Sequence, residues 1–426
     1  MSADKSFLPQ RTQRTQSKPE LKNSVPSVSS VSSVVKDLRS LTRRDTIRAA
    51  ASAALGLIAA PMLNLGRYQL FADQPTQYSA RCVKLMQESV VIDMLSPITI
   101  EGKWQRWATT ADSFTEADFK RYRDSGINVF HHAFGLGGTN AYESALSFFA
   151  AVNSLIAGND QTMMRIDSAA DFRRVKGSGK MGIIAGIQNA EHFRRPQDVP
   201  LFFGLGQRVS QLTYNSRNLI GNGSTERRDE GISDFGVSII EQMNKTGMAI
   251  DVSHCGDRTT LDAFELSKKP VLITHSNVRA LVPGHPRCKT DDAIKAVGKA
   301  GSVMGITGVR NFVKNSEPTT IEDVINHFDH VKNLIGPQHL GVGSDVDLDG
   351  YDDMEPAAYQ RLKAGYKDTY SFREKIDIEG LDHPKRMFDL TEGLIRRRYS
   401  DAEITGILGG NFARVLTEIW AGQPGS

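Results

Sequence analysis

Seven polar residues stand at or beside the ends of short apolar runs in this chain: Asp93, His131, Gln188, Tyr214, His254, His275 and Asp345. Neutral imidazole is a common zinc ligand, and a carboxylate near a bound metal can take the proton of its water. Two histidines on consecutive runs, with an aspartate ending the last run, are therefore suited to metal-assisted hydrolysis if the fold brings them together.

The elements that must do so are eight runs, at 89–93, 127–131, 182–188, 209–214, 248–254, 271–275, 302–306 and 340–345. Each reads as a strand buried on both faces, and most are separated by enough chain for a helix. Strand and helix alternating eight times predict an α/β fold, the (β/α)8 TIM barrel, whose active site lies at the C-terminal ends of the strands. Between the runs, 78–87 and 235–245 read as helices. Thr115 followed by Asp118 marks a helix start. Residues 215–234 form a Gly-, Asn- and charge-rich loop on the active-site side, of a length that is more often functional than decorative. An acidic turn follows at 347–352, and 382–410 reads as two helices closing the barrel.

The chain has 426 residues, 39% of them hydrophobic and 24% charged, which fits a globular protein. Its net charge of +3 is carried by the first fifty residues, where ten Lys/Arg face four Asp/Glu. The remainder is mildly acidic, so a nucleic-acid partner is not expected. Residues 1–40 are polar and Ser/Val-rich, as in a disordered segment. Residues 41–74 hold Arg43 and Arg44 ahead of a short apolar stretch at 49–63, the layout of a twin-arginine export signal. This predicts a periplasmic or extracytoplasmic location, the twin-arginine machinery as a partner, and a single barrel domain over 75–426. Three cysteines, Cys82, Cys255 and Cys288, are too few for a disulfide framework. Cys255, next to His254 but pointing the other way, reads as a packed thiol.

Five segments carry a family resemblance: Gly247-Met-Ala-Ile-Asp-Val-Ser-His254, Pro270-Val-Leu-Ile-Thr-His275, His285-Pro-Arg287 followed by Asp291-Asp292, Gly341-Val-Gly-Ser-Asp345, and Ile407-Leu-Gly-Gly-Asn411-Phe. Over roughly residues 80–420 the chain resembles the renal (membrane) dipeptidase family. The resemblance implies a zinc (β/α)8 barrel of the amidohydrolase type that hydrolyses dipeptides. It implies His254 and His275 as ligands of the family's second metal, Asp345 as acid/base, and Arg287 as holder of the substrate carboxylate. A planar guanidinium binds a carboxylate bidentately, which suits Arg287 to that role. With the leader, the chain resembles a twin-arginine-exported bacterial variant with an altered metal site.

The departures are specific. Where the family has a His-x-Asp pair after the first strand, this chain has Leu95 and Pro97, which cannot bind a metal. The family's bridging Glu falls at Gln188, a neutral and poor bridge, and its substrate-facing His falls at Tyr214. The expectation is one zinc ion per chain, held by His254 and His275, with Asp345, Gln188, Glu191 or His192 open as a further ligand. Asp345 and Tyr214 are the catalytic candidates. Arg287, His131 and His132 are the substrate-binding candidates, and Asp93 reads as structural. The leading function is hydrolysis of a dipeptide or small amide, with a homodimer as a possible assembly. A periplasmic maturation enzyme, as dipeptidase-like proteins of siderophore maturation suggest by similarity, and a metal-free binding protein are the alternatives.

Overall fold

The computed structural model describes residues 78–421, apart from residue 353. The expectations for 1–40 and 41–74 lie outside the described residues. Among the described residues, no helix is long and apolar enough to cross a membrane.

Nine parallel strands form the sheet: β1 (Ile92–Asp93), β2 (Val129–Phe134), β3 (Met163–Arg165), β4 (Met181–Ile187), β5 (Gln207–Gln211), β6 (Ala249–Asp251), β7 (Val271–Ser276), β8 (Met304–Ile306) and β9 (Leu340–Val342). Eight run in the order β1-β2-β4-β5-β6-β7-β8-β9, and each of these comes from one of the eight apolar runs. The ninth, β3, pairs with Met181–Ile183 of β4, while β5 pairs from Ala185 onward. The sheet returns on itself where the Met94 N–H donates to the Val342 carbonyl at 2.9 Å and the Asp345 N–H to the Leu95 carbonyl at 2.8 Å. The observed architecture is the (β/α)8 barrel expected from the spacing.

Strand alternation sorts the side chains into two layers. Val129, Ile184, Val209, Ala249 and Leu272 pack together inside the barrel, joined by Phe412, Val415, Leu416, Ile419 and Trp420 of the helix Asn411–Trp420. Phe130, Ile183, Ile187, Ile250, Ile273 and Met304 belong to the layer between strands and helices. The two helices expected at 382–410 are Arg386–Arg396 and Asp401–Thr405, and the helix Asn411–Trp420 lies beyond them. The helices read at 78–87 and 235–245 are Ala80–Glu88 and Asp234–Thr246. Thr115 and Asp118 form a complete capping box. All three cysteines are free and buried, and Cys255 accepts a hydrogen bond from the Thr213 hydroxyl at 3.3 Å.

A buried charge network fastens the seam between β9 and β1. Asp93 accepts from the Ser344 N–H (2.8 Å) and hydroxyl (2.6 Å), and from Arg386 Nη2 at 3.2 Å. Arg386 also donates to the Ser96 hydroxyl and the Asp347 carbonyl, both at 2.8 Å. Asp93 is therefore structural, as its sequence context suggested. Removing one partner of such a pair leaves an uncompensated buried charge. Arg386→Met is expected to lower unfolding free energy by about 3–5 kcal/mol in urea titrations. Adding Asp93→Asn should restore part of the loss. A single-variant loss under about 1 kcal/mol would refute this role for the pair.

Candidate active site at the barrel mouth

His254 and His275 are delivered by consecutive strands. The pairing of β7 with β8 shifts register between Ile273 and Ser276, and such an irregularity re-aims the side chain it carries, here His275. Gly305 and Gly343 make room for it, because a Cβ at either position would overlap the Thr274 carbonyl. The two imidazoles are buried, and their Nε2 atoms face each other at 3.0 Å. Each Nδ1 is held from behind, by the Asn215 Oδ1 at 2.8 Å for His254 and by the Thr274 Oγ1 at 2.8 Å for His275. Burial, followed by the nearby Arg287 cation, pushes both histidines well below the ordinary range, so both are neutral at pH 7.

Two cations lie beneath this pair. Arg287 is 1% exposed and donates to the Ser253 carbonyl and, at 3.0 Å, to the His275 carbonyl. Lys289 is 2% exposed and donates to the carbonyls of Val252 and Cys255 at 2.7 and 2.8 Å, the turn that carries His254. Burial lowers the Lys289 ammonium to about 8. Asp345 sits at φ +58° just beyond β9. Burial raises its carboxyl to about 7, with Arg287 pulling the other way and Asp93 adding to the rise.

Two loops roof the mouth. Tyr214 stacks on His254 with ring centroids 4.1 Å apart, and its hydroxyl meets that of Tyr366 at 2.9 Å. Tyr366 stacks in turn on Tyr370 at 4.6 Å. Lys367 crosses to the 215–234 loop, donating to the Thr225 carbonyl at 3.2 Å and pairing with Glu226 at 3.7 Å. Tyr366 and Tyr370 lie far from the motifs in sequence and carried no signal of their own. Asn215 was visible only as the first residue of a long loop.

Other candidates do not join this cluster. Strand β2 continues three residues past His131, so His131 lies within the barrel, its Nδ1 donating to the Met94 carbonyl at 2.7 Å and its ring against Gly186. His132 points outward by alternation, packed against Trp104, Phe134 and Phe148, and its Nδ1 accepts from the Ile98 N–H. Burial there lowers its pKa to about 3, which suits a packing role rather than substrate contact. Gln188 donates through Nε2 to the Ala133 carbonyl at 2.9 Å, a bond that a glutamate at this position could not make. His192 bonds Gln207 and packs on Phe193 and Phe202, and Glu191 accepts from the Gly138 N–H. Leu95 is fully buried.

Among the described residues, no group of three His, Cys, Asp or Glu side chains shares one coordination sphere. Leu95 and Pro97 carry no metal-binding side-chain atom, and Gln188 spends its amide hydrogen on the Ala133 carbonyl. The histidine pair does fit two ligands of a single ion. Two nitrogens bound tetrahedrally at 2.0–2.1 Å lie about 3.3 Å apart, close to the observed 3.0 Å.

Because burial raises the Asp345 carboxyl to about 7, above an unfolded value near 4, ionising it costs the folded state stability. That cost is absent below about pH 4, where both states are protonated, and complete above about pH 7. Asp345→Asn should therefore raise the melting temperature at pH 8 and leave it nearly unchanged at pH 4. Equal shifts at both pH values would show that the carboxyl is not perturbed.

The sequence matches the membrane dipeptidase family over residues 79–362 and 372–423. Dipeptidase verJ of Clonostachys rogersoniana is 28% identical over 271 residues, 63% of this chain and 63% of that protein, so the match spans under two thirds of the relative's length. Among solved structures, an amidohydrolase from Pseudomonas aeruginosa is 28% identical with a TM-score of 0.68, covering 80% of this chain and 99% of that one. The probable dipeptidase PvdM from Pseudomonas aeruginosa is 18% identical with a TM-score of 0.64, covering 80% and 97%, and shares the fold. A barrel whose motif-bearing strands meet at one mouth, matched along nearly all of its described length, belongs to the membrane dipeptidase family, Peptidase family M19.

Proposed function

We propose that this chain hydrolyses a dipeptide or small amide bearing a free carboxylate, with one metal ion rather than two. The observation that carries this reading is the pair of neutral imidazoles converging at 3.0 Å above a buried arginine that, among the described residues, has no carboxylate within ion-pair distance. A divalent ion such as zinc on His254 and His275 would supply a water acidified toward ~7 as nucleophile. The chain's own residues do the rest. Arg287, buried with no carboxylate in ion-pair contact among the described residues, favours a substrate carboxylate, which a guanidinium holds bidentately. Asp345, with a carboxyl near 7, accepts a proton as the water oxygen bonds to the scissile carbon. It returns that proton to the nitrogen as the C–N bond breaks. Tyr214, kept protonated by burial, has a hydroxyl able to donate to the developing oxyanion once it parts from Tyr366.

The absence of a third His, Cys, Asp or Glu ligand among the described residues favours a second reading, a metal-free binding barrel that keeps Arg287. The Arg43-Arg44 pair and the apolar stretch behind it support export by the twin-arginine route and a periplasmic setting, in which a maturation role is also possible.

Elemental analysis of the purified protein should find one ion per chain, lost in His254→Ala. No ion under metal-replete conditions would favour the binding reading. Asp345→Asn should lower turnover of a dipeptide by about 10²–10⁴-fold while metal content stays at one. A C-terminally amidated dipeptide should be a much poorer substrate through a raised KM. Undiminished turnover in Asp345→Asn would remove that residue from the acid/base role.

A further inference from the structure

We infer that Asn215 is a positioning residue that decides whether the His254–His275 pair can hold a cation, by setting the tautomer of His254. The inference deepens the single-ion reading above and rests on it.

The tautomer of His275 follows from its surroundings. The Thr274 hydroxyl lies 2.6 Å from the Asp251 Oδ2, a buried carboxylate that can only accept, so its one hydrogen is committed there. Thr274 Oγ1 must therefore accept from His275 Nδ1–H, which leaves the Nε2 of His275 as a bare lone pair. Ser253 supports the arrangement, donating to the Asp251 Oδ1 at 2.6 Å and accepting the His275 N–H at 3.0 Å.

His254 has no such commitment behind it. Among the described residues, its Nδ1 partner is the side-chain amide of Asn215, whose two ends can exchange by a half-turn. With Oδ1 toward the ring, as in this structure, His254 carries its proton on Nδ1. Its Nε2 is then a second lone pair facing that of His275 at 3.0 Å. Two lone pairs at that distance repel unless a cation lies between or beside them. With the amide reversed, Nδ1 becomes the acceptor, Nε2 carries the proton, and a His–His hydrogen bond closes the seat.

The Ser224 hydroxyl satisfies the first arrangement by donating to the same Asn215 Oδ1 at 3.3 Å. The backbone around Asn215 is pinned as well, because its carbonyl accepts from the Thr225 N–H at 3.0 Å and hydroxyl at 2.7 Å. The 215–234 loop is thus coupled to the histidine pair through a single amide. Partners of this kind commonly change metal affinity by about 10–100-fold when removed.

The test is calorimetric titration of zinc, and of cobalt(II) followed by visible absorbance, into the metal-stripped full chain. Parent, Asn215→Leu, Asn215→Asp and Thr274→Val are compared. Asn215→Asp cannot reverse into a donor and should bind at least as tightly as the parent. Asn215→Leu should bind about 10–100-fold more weakly at the same one-to-one stoichiometry, and Thr274→Val should weaken binding through His275 by a similar factor. If the parent binds one ion and Asn215→Leu binds it equally well, the role of Asn215 is overturned while the single-ion reading stands. If the parent binds none, both fall. If Asn215→Leu proves unfolded by circular dichroism, the aspartate variant decides, since weaker binding than the parent would overturn the inference.

Discussion

Asp251 is a buried carboxylate with four donors on it: the N–H and hydroxyl of Ser253 at 3.0 and 2.6 Å, and the N–H and hydroxyl of Thr274 at 3.0 and 2.6 Å. A charge taken out of water is tolerated only when its lone pairs are satisfied in this way. Meeting that demand ties the end of β6 to β7, fixes the register break that carries His275, and commits the hydroxyl behind its ring. The turn bearing His254 hangs from the same strand end and is braced by Lys289. Asp93, Ser344 and Arg386 solve the equivalent problem at the β9–β1 seam, so Asp345 also emerges next to a satisfied buried acid.

The electrostatic character of the mouth follows from what surrounds these acids. Among the described residues, Arg287 and Lys289 are buried on backbone carbonyls with no carboxylate in ion-pair contact, and the histidines beside them are held neutral. Leu95, Pro97 and Gln188 add no charge of their own. Two buried cations beside the histidine pair favour an anion there. Tyr214, stacked on His254, meets Tyr366 hydroxyl to hydroxyl, and Tyr366 stacks on Tyr370.

Much of the barrel was legible because eight short apolar runs, seven of them ended by a polar residue, leave room for helices of ordinary length between them. The boundaries were less so: β2 runs on to Phe134, which moves His131 from the mouth into the interior. The three-residue strand Met163–Arg165 is too short to show any periodicity and exists only because β4 has an edge there to pair with. Glu191 and His192 sit beside the expected ligand position in sequence, yet the short helical turn Ala190–His192 takes them into other contacts. Leu95, Pro97 and Gln188 were readable as losses. That Gln188 uses its amide hydrogen to hold β2 was not, since the partner is a backbone carbonyl 55 residues away.

The residue types alone determined that this is a (β/α)8 chain of the dipeptidase kind, with His254, His275 and Asp345 at or just beyond strand ends and Arg287 in the segment that follows His275. The barrel follows from hydrophobic periodicity and the dipeptidase kind from the resemblance of short motifs, both of which are local. Only the tertiary structure decided which neighbours stand behind those side chains. Asn215 and Thr274 behind the two imidazoles, Arg386 on Asp93, and Tyr366 over Tyr214 are contacts between segments that are distant in the chain or meet only through the barrel's register. A proton's position on an imidazole, or the pKa of a buried acid, depends on those contacts, and no local pattern specifies them.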